Sequence, residues 1–418
     1  MTLPLPPGSH LRVSLEDRDR NLELCGLGRA EGGQTALEWT PDALVADEDA
    51  GANIAVRQAP LLSGVHLVGK RRVDGLPGFL ADSLPDSWGR LLVDRQLRKR
   101  RIAPGSVTGF DRLAIVGARG PGALSYAPEY SLAPEVEDSL DLDNIALDAT
   151  LVLTGSEPEM LAKLERLGGS AGGSRPKAWV AETPDGRLRS GAHRLAADEI
   201  GWLVKFRAPN HDPEDIAALE YAYGKMARAA GLDVAEPRLF ETERGRYFAS
   251  RRFDRVGAER VHVLTAAAVL DIDAEQALAA DYIDLLALTR HVTRSEREVV
   301  SAFRHAVFNV FANNRDDHLK QFAFLRCDEW RRAPAYDLTY SLGPGGEHTL
   351  LVAGEGRRPN RTHLAQVAEA AALKKASAAR VVEEVREAVL RWVDFARAAG
   401  VGEASTTRVA EAIQVNTA

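Results

Sequence analysis

The sequence predicts an α+β protein that is mixed at its start, strand-rich in its middle and helical towards its end. Short apolar runs broken by Gly and Pro turns fill the first 130 residues. Runs such as GWLVKF and RYFASRRF mark strands in the middle, and beyond 256 apolar residues recur at the helical period of 3.6. With 418 residues, 45 % of them apolar, the chain has material for two or three domains and a large core.

Composition removes several classes. Gly (35) and Pro (20) are at ordinary levels, and Cys25 and Cys327 are the only cysteines, so collagen-like, disordered and disulfide-scaffold chains are out. No stretch reaches the ~18 apolar residues of a membrane span, and MTLPLPPGSH lacks the basic start and apolar run of a signal peptide. A cytoplasmic protein without membrane contact is expected. Lys and Arg (53) against Asp and Glu (60) leave a net charge of −7, a poor match to nucleic acid as main ligand.

Element by element, a helix is expected from Asp86 through Trp88, Leu91, Leu92 and Leu97, ending in Arg98-Lys99-Arg100-Arg101 before Pro104-Gly105. The acidic, Pro-containing stretch 128–149 reads as a surface connection. A helix near 157–167 leads into the small-residue run 168–174, then RPKAWVAE, a turn at Pro184-Asp185-Gly186 and the strand GWLVKF. Residues 212–230 predict a helix with Asp212 as N-cap, Pro213 at its first position and Gly231 after its end; Ile216, Leu219, Tyr223, Met226 and Ala230 share one face. PRLFET and RYFASRRF are two more strands. Ser295 and Glu298 have capping-box spacing ahead of the apolar face Val299, Phe303, Val307, Val310 and Phe311, and Asn313-Asn314, which tolerate left-handed backbone, stop that helix. Val382, Val385, Val389 and Val393 predict a further helix closed by Gly400.

Three pieces carry chemistry: a Gly-rich loop before a strand, a lysine on the next strand, and two Asp-bearing loops around a hairpin. Phosphoryl transfer from a nucleotide needs backbone donors, a cation, metal-binding carboxylates and a base near the nucleophile. The glycines of 168–174 let backbone N–H groups approach phosphate oxygens, although alone they fit a flexible turn, and GxxxxGK[ST] is absent. Lys177 closes that run. Lys205 stands among Trp202, Leu203, Val204 and Phe206, where a lysine is costly unless paired; Glu220 is its candidate partner, and a snorkelling edge-strand lysine is the alternative. In NRDDHLKQ the acid Asp316 precedes the amide Gln321 by five positions, and Asp337 follows the expected hairpin FAFLRCDEWRRAPAY, the kinase order of catalytic acid, metal-binding amide and second metal-binding acid.

These segments resemble the HipA serine/threonine kinases of bacterial toxin–antitoxin systems, over nearly the whole chain. SAGGSRPK (Ser170–Lys177) looks like the family's Gly-rich loop, GWLVKF carries its lysine, ALEYAYGKMARAAGL its following helix and RRFDR its hinge. NRDDHLKQFAF and APAYDLTYS look like its catalytic and metal-binding segments, and DSLPDSWGRLLVDR like part of its N-terminal subdomain. The resemblance implies an N-terminal HipA-like subdomain (1–149) followed by a protein-kinase-like bilobal domain, its N-lobe at 150–255 and an all-helical C-lobe at 256–418. It implies Asp316 as the base that orients a substrate hydroxyl, with His318 in the same loop for phosphate or metal. Gln321 and Asp337 would hold Mg²⁺. Lys205, Lys177 and the loop residues Ser170, Ala171, Gly172, Gly173 and Ser174 would hold ATP. Arg251, Phe253, Asp254 and Asp337 would line the nucleotide cleft. Ser170 falls where family members phosphorylate themselves, and a phosphate there is expected to push the loop from the ATP site. The family further implies a helix-turn-helix, HipB-like antitoxin, contact with DNA only through it, and a translation-related target such as an aminoacyl-tRNA synthetase.

The chain departs from the pattern at Gln321, where the family has Asn, and at Arg251, an acidic position in well-known members; HVLTAAAVL also lacks a Gln-Glu-Asp run. A small-molecule phosphotransferase and a non-catalytic nucleotide-binding module acting with a DNA-binding partner are the competing readings. Asp271, Asp273 and Asp281 read as caps or surface, His291 and His305 as structural, Trp392 as core, and the basic run 98–101 as a solvated helix end.

Overall fold

The computed structural model describes residues 3–18, 20–30, 34–50, 63–69, 73–132, 139–156, 161–169, 173–191, 194–272 and 280–418. Ser170, Ala171, Gly172 and Asp273 lie outside them. The chain packs as two compact units, Met1–Ala208 with Arg252–Asp273, and Pro209–Arg251 with Ala274–Ala418, so packing cuts the 150–255 segment at 208/209 and 251/252.

The first unit opens with a five-stranded antiparallel sheet in the order Val65–Leu67, Thr35–Trp39, Arg20–Arg29, His10–Asp17, Leu124–Ala127. Along His10–Asp17 the side chains alternate, burying Leu11, Val13 and Leu15, and the register slips once between Val13 and Ser14. The expected helix after Asp86 forms at Ser87–Lys99 and buries Trp88, Leu92, Val93 and Leu97. Helix Gly109–Val116 starts at a reciprocal Thr108/Asp111 capping box, and Asp111 also accepts the Leu5 amide and the Arg29 guanidinium. After helices Leu142–Leu153 and Leu161–Gly168, strand Lys177–Glu182 pairs antiparallel with Leu188–Ser190 and with Ile200–Lys205. Strands Lys177–Glu182 and Ile200–Lys205 and the turn after the first stand where the sequence places them; Leu188–Ser190 is an added strand.

In the second unit the expected helix at 212–230 begins one turn late, at Ile216, and runs to Ala229. Asp212 is buried and is not the cap; the N-cap position falls on Asp215. The Asp215 carboxylate leaves its own helix and accepts the Gly402 amide (2.8 Å) and the Ser405 hydroxyl (3.0 Å) at the start of helix Glu403–Thr417. Hairpin Pro237–Glu241/Arg246–Arg251 follows. Helices Tyr282–Thr293 and Glu296–Phe311 come next, and Val299, Phe303, Val307, Val310 and Phe311 are all buried as their spacing requires. Ser295 caps the Glu298 amide, but the Glu298 carboxylate accepts the Arg332 amide instead of closing a box. One short hairpin, Ala323–Arg326/Trp330–Arg332, interrupts the helices where FAFLRCDEWRRAPAY predicts it. The expected Val382–Val393 helix is two, Lys375–Val389 and Trp392–Ala399, with Val381 rather than Val382 inside and Val393 exposed. Trp392 is core, and Gly400 closes the second helix with φ 72°.

Tyr223 shows how this core prepares the site. Its ring meets Phe308 and Trp392 edge-on, and its hydroxyl donates to the Ala312 carbonyl at 2.7 Å, fastening the end of helix Glu296–Phe311. The next residue, Asn313, turns the chain with φ 53°.

Candidate active site

The second unit brings four of the sequence-predicted residues together. Helix Glu296–Phe311 ends, Asn313 reverses the backbone, and Asp316 then projects with a side chain 56 % exposed. His318 caps the short turn Leu319–Gln321, its Nδ1 accepting the Lys320 amide at 3.3 Å. Its Nε2 lies 3.9 Å from Asp316 Oδ1 and 3.4 Å from Gln321 Nε2. Gln321 Nε2 in turn donates to Asp337 Oδ2 at 3.0 Å. Asp337 has φ 56°, a left-handed conformation that non-Gly residues adopt at a cost, here at the point where the chain leaves the hairpin.

This set suits Mg²⁺ with a nucleotide. Among the described residues no three His, Cys, Asp or Glu side chains make a closed metal cage. Mg²⁺ takes few protein ligands when it bridges phosphates, typically one or two carboxylates, and Gln321 has its amide oxygen to offer beside the Asp337 carboxylate.

The sequence reading left Asp317, the neighbour of Asp316, without a role. Its side chain is fully buried and its oxygens accept the Tyr282 hydroxyl (2.7 Å), His348 Nδ1 (2.8 Å) and the Thr349 amide (2.8 Å). The only sequence signal was a second acid beside the first; its partners lie more than thirty positions away. Of the two acids, Asp316 alone is presented to solvent.

The first unit holds the lysines. Lys177 and Lys205 are paired positions on adjacent antiparallel strands, so their side chains leave the same face. Both are buried, Lys205 to 8 % exposure, which does not suit a snorkelling lysine with its ammonium in water. Gly173 has φ 90°, a conformation that favours glycine, and a Cβ there would stand 2.3 Å from Lys177 Nζ, the mobile end of that side chain. Gly173 and the buried Lys177 thus stand side by side at the end of the Gly-rich run, and Ser174 beside them is exposed. Lys205's expected partner Glu220 is buried on helix Ile216–Ala229 of the second unit.

The RRFDR segment divides between structural and open roles. Asp254 is buried and accepts from Arg252 (2.9 and 2.8 Å), Arg255 (2.7 Å) and the Gly122 amide (2.9 Å). Burial alone would raise its pKa, but the two guanidiniums win and hold it far below the carboxylate range. Its oxygens are thereby spent on the first unit's own frame. Phe253 is half-buried, and Arg251, in the second unit, is exposed and pairs with Glu236 at 3.3 Å.

Asp281, Asp271 and His305 have structural roles. Asp281 caps helix Tyr282–Thr293 in a capping box with Asp284, and Asp271 accepts the Gly78 amide at 2.6 Å. His305 is buried against the Phe322 ring and accepts from Arg332. Both cysteines are free thiols.

Residues 169–393 match the family model described as HipA-like C-terminal domain, and residues 23–127 that described as HipA N-terminal domain. No curated protein sequence matches the chain. Among solved structures it is similar to the HipA of the Shewanella oneidensis MR-1 toxin–antitoxin system, seen with HipB and operator DNA. The TM-score is 0.69 and the identity 16 %, over 97 % of this chain and 95 % of that one. The Helicobacter pylori proinflammatory kinase CtkA aligns at 15 % identity and TM-score 0.33, over 52 % of this chain and 94 % of that one. The α+β fold expected from the sequence is the fold of the Shewanella protein. Among the described residues no helix is long and apolar enough to cross a membrane.

Proposed function

We propose, from the premise that the chain belongs to the HipA family, that it is a Mg-ATP-dependent protein kinase acting on serine or threonine. The observation that carries this reading is the gathering of Asp316, His318, Gln321 and Asp337 at one place, with a 3.0 Å bond from Gln321 to Asp337. In this reading Asp316 orients the acceptor hydroxyl and takes its proton as the oxygen–phosphorus bond forms and ADP leaves. Gln321 and Asp337 hold the magnesium ion, which when bound neutralises charge on the phosphates. Lys205, Lys177 and the Gly173 backbone bind phosphate oxygens; Arg251 and Phe253 contact the nucleotide through the hinge.

Ser170 is the proposed site of self-phosphorylation. The proposed partner is a HipB-like helix-turn-helix antitoxin, through which alone the chain meets DNA; the Shewanella HipA captured with HipB and operator DNA supports it. A translation-related protein such as an aminoacyl-tRNA synthetase is the proposed target, on family resemblance.

Incubation of the purified chain with γ-labelled ATP and Mg²⁺ tests the reading. Label on protein serine, mapped to Ser170 by mass spectrometry, supports it. Label only on added metabolites favours a small-molecule phosphotransferase. No transfer at all, with operator DNA still shifted in the presence of the partner, favours a binding module.

A further inference from the structure

We infer that Asp317 is the positioning residue that sets Asp316 for transfer, an inference that rests on the phosphoryl-transfer reading above. The two acids are neighbours in sequence and opposite in circumstance: Asp316 is exposed, while the Asp317 side chain is wholly buried and spent on four donors. Oδ2 accepts from Tyr282 Oη at 2.7 Å and from His348 Nδ1 at 2.8 Å; Oδ1 accepts the amides of Thr349 at 2.8 Å and Leu350 at 3.4 Å. A carboxylate only accepts, so His348 carries its proton on Nδ1.

The anchoring continues on the other side of Asp316. The Arg315 carbonyl accepts both the amide (3.2 Å) and the hydroxyl (3.1 Å) of Thr349. The Asn313 carbonyl accepts the Ser341 amide at 3.0 Å, and Asn313 Nδ2 donates back to the Ser341 carbonyl at 2.9 Å. Asn314 donates to Asn309 Oδ1 at 2.9 Å, and Asn309 donates to the same Tyr282 hydroxyl at 3.0 Å. Residues on both sides of Asp316 are thus tied down, while the Asp316 side chain is exposed. Most of the ties run to 341–350, the chain that leaves Asp337, so Asp317 fixes the acid of one loop against the metal-binding acid that precedes the other. A catalytic acid misplaced by about 1 Å costs on the order of 100-fold in rate.

The test uses the full chain as wild type, Asp317→Asn, His348→Leu and His348→Asn, with the folded fraction set by circular dichroism. Asp317→Asn should lower kcat on the order of 100-fold per folded molecule and leave the KM for ATP within about twofold. His348→Asn keeps a side-chain N–H near the place of Nδ1 and should lose less than His348→Leu. Hydrogen exchange gives an independent readout: the Thr349 and Leu350 amides should lose protection in Asp317→Asn. Wild-type kcat in that variant, or a raised KM with kcat intact, overturns the inference. If wild type itself transfers nothing, the phosphoryl-transfer reading fails and takes the role in transfer with it, and exchange then reports on the anchor alone: unaltered protection at 349 and 350 overturns the anchor as well, whereas lost protection shows that only the transfer reading was wrong.

Discussion

The Asp86 carboxylate accepts the backbone amide of Gly173 at 3.0 Å, although Asp86 stands at the N-cap of helix Ser87–Lys99 and caps no amide of that helix. The chain gives up a helix cap, ordinarily about 1 kcal/mol, to fasten the end of the Gly-rich loop. Trp88 doubles the attachment: its amide donates to the Gly173 carbonyl (3.1 Å) and its indole N–H to the Lys177 carbonyl (3.2 Å). The DSLPDSWG motif is therefore the seat of the end of the Gly-rich loop, within the first unit.

Gly89 tests that seat. A Cβ there would lie 2.7 Å from the Gly169 carbonyl and 2.8 Å from Pro85 Cβ, both stiff neighbours. Gly89→Ala should cost about 1–3 kcal/mol by overpacking and weaken ATP binding by displacing the loop. Urea unfolding and nucleotide titration measure the two effects; unchanged stability would show that helix and loop are not in register as described.

The grouping of Asp316, Gln321 and Asp337 was legible in the sequence because it follows from short spacings, five positions from Asp316 to Gln321 and one hairpin to Asp337. Helix Glu296–Phe311 was legible because its apolar residues repeat at 3.6. What escaped is set by distant partners. The break between helices Lys375–Val389 and Trp392–Ala399 contains Leu390 and Arg391, good helix formers, so no local residue announces it. Asp212 reads as the cap because Pro213 follows it, and only the fold shows Asp215 at that position, serving the start of another helix. Asp317 is silent for the same reason.

Replacing Asp316 with Asn removes a proton acceptor while keeping shape. Transfer should fall by about 10²–10⁴-fold with ATP binding largely intact, read by label incorporation and by calorimetry. Undiminished self-phosphorylation would contradict its assignment as base.

Gln321→Ala removes the bond that orients Asp337 and the amide oxygen offered to the ion. The Mg²⁺ concentration for half-maximal transfer should rise by about 10–100-fold. Gln321→Asn keeps the amide on a shorter arm and should fall between. An unchanged Mg²⁺ requirement in Gln321→Ala would place the ion elsewhere.

His305 gives the protein an acid limit that does not involve the site's own groups. Burial, and then the positive charge of Arg332 beside it, push its pKa well below the ordinary 6.5. Its Nδ1 accepts from Arg332 at 3.0 Å, which requires the neutral ring. The unfolded chain binds a proton near pH 6.5 that the folded chain refuses, so this contribution is complete above that pH and is lost progressively as pH falls through and below it. Asp254, whose folded pKa is depressed, acts in the same direction in a separate window, below its ordinary value of 3.8. Urea unfolding from pH 8 to 5 should show stability falling with a slope that His305→Gln flattens. A slope unaltered by that substitution would assign the acid sensitivity to another group.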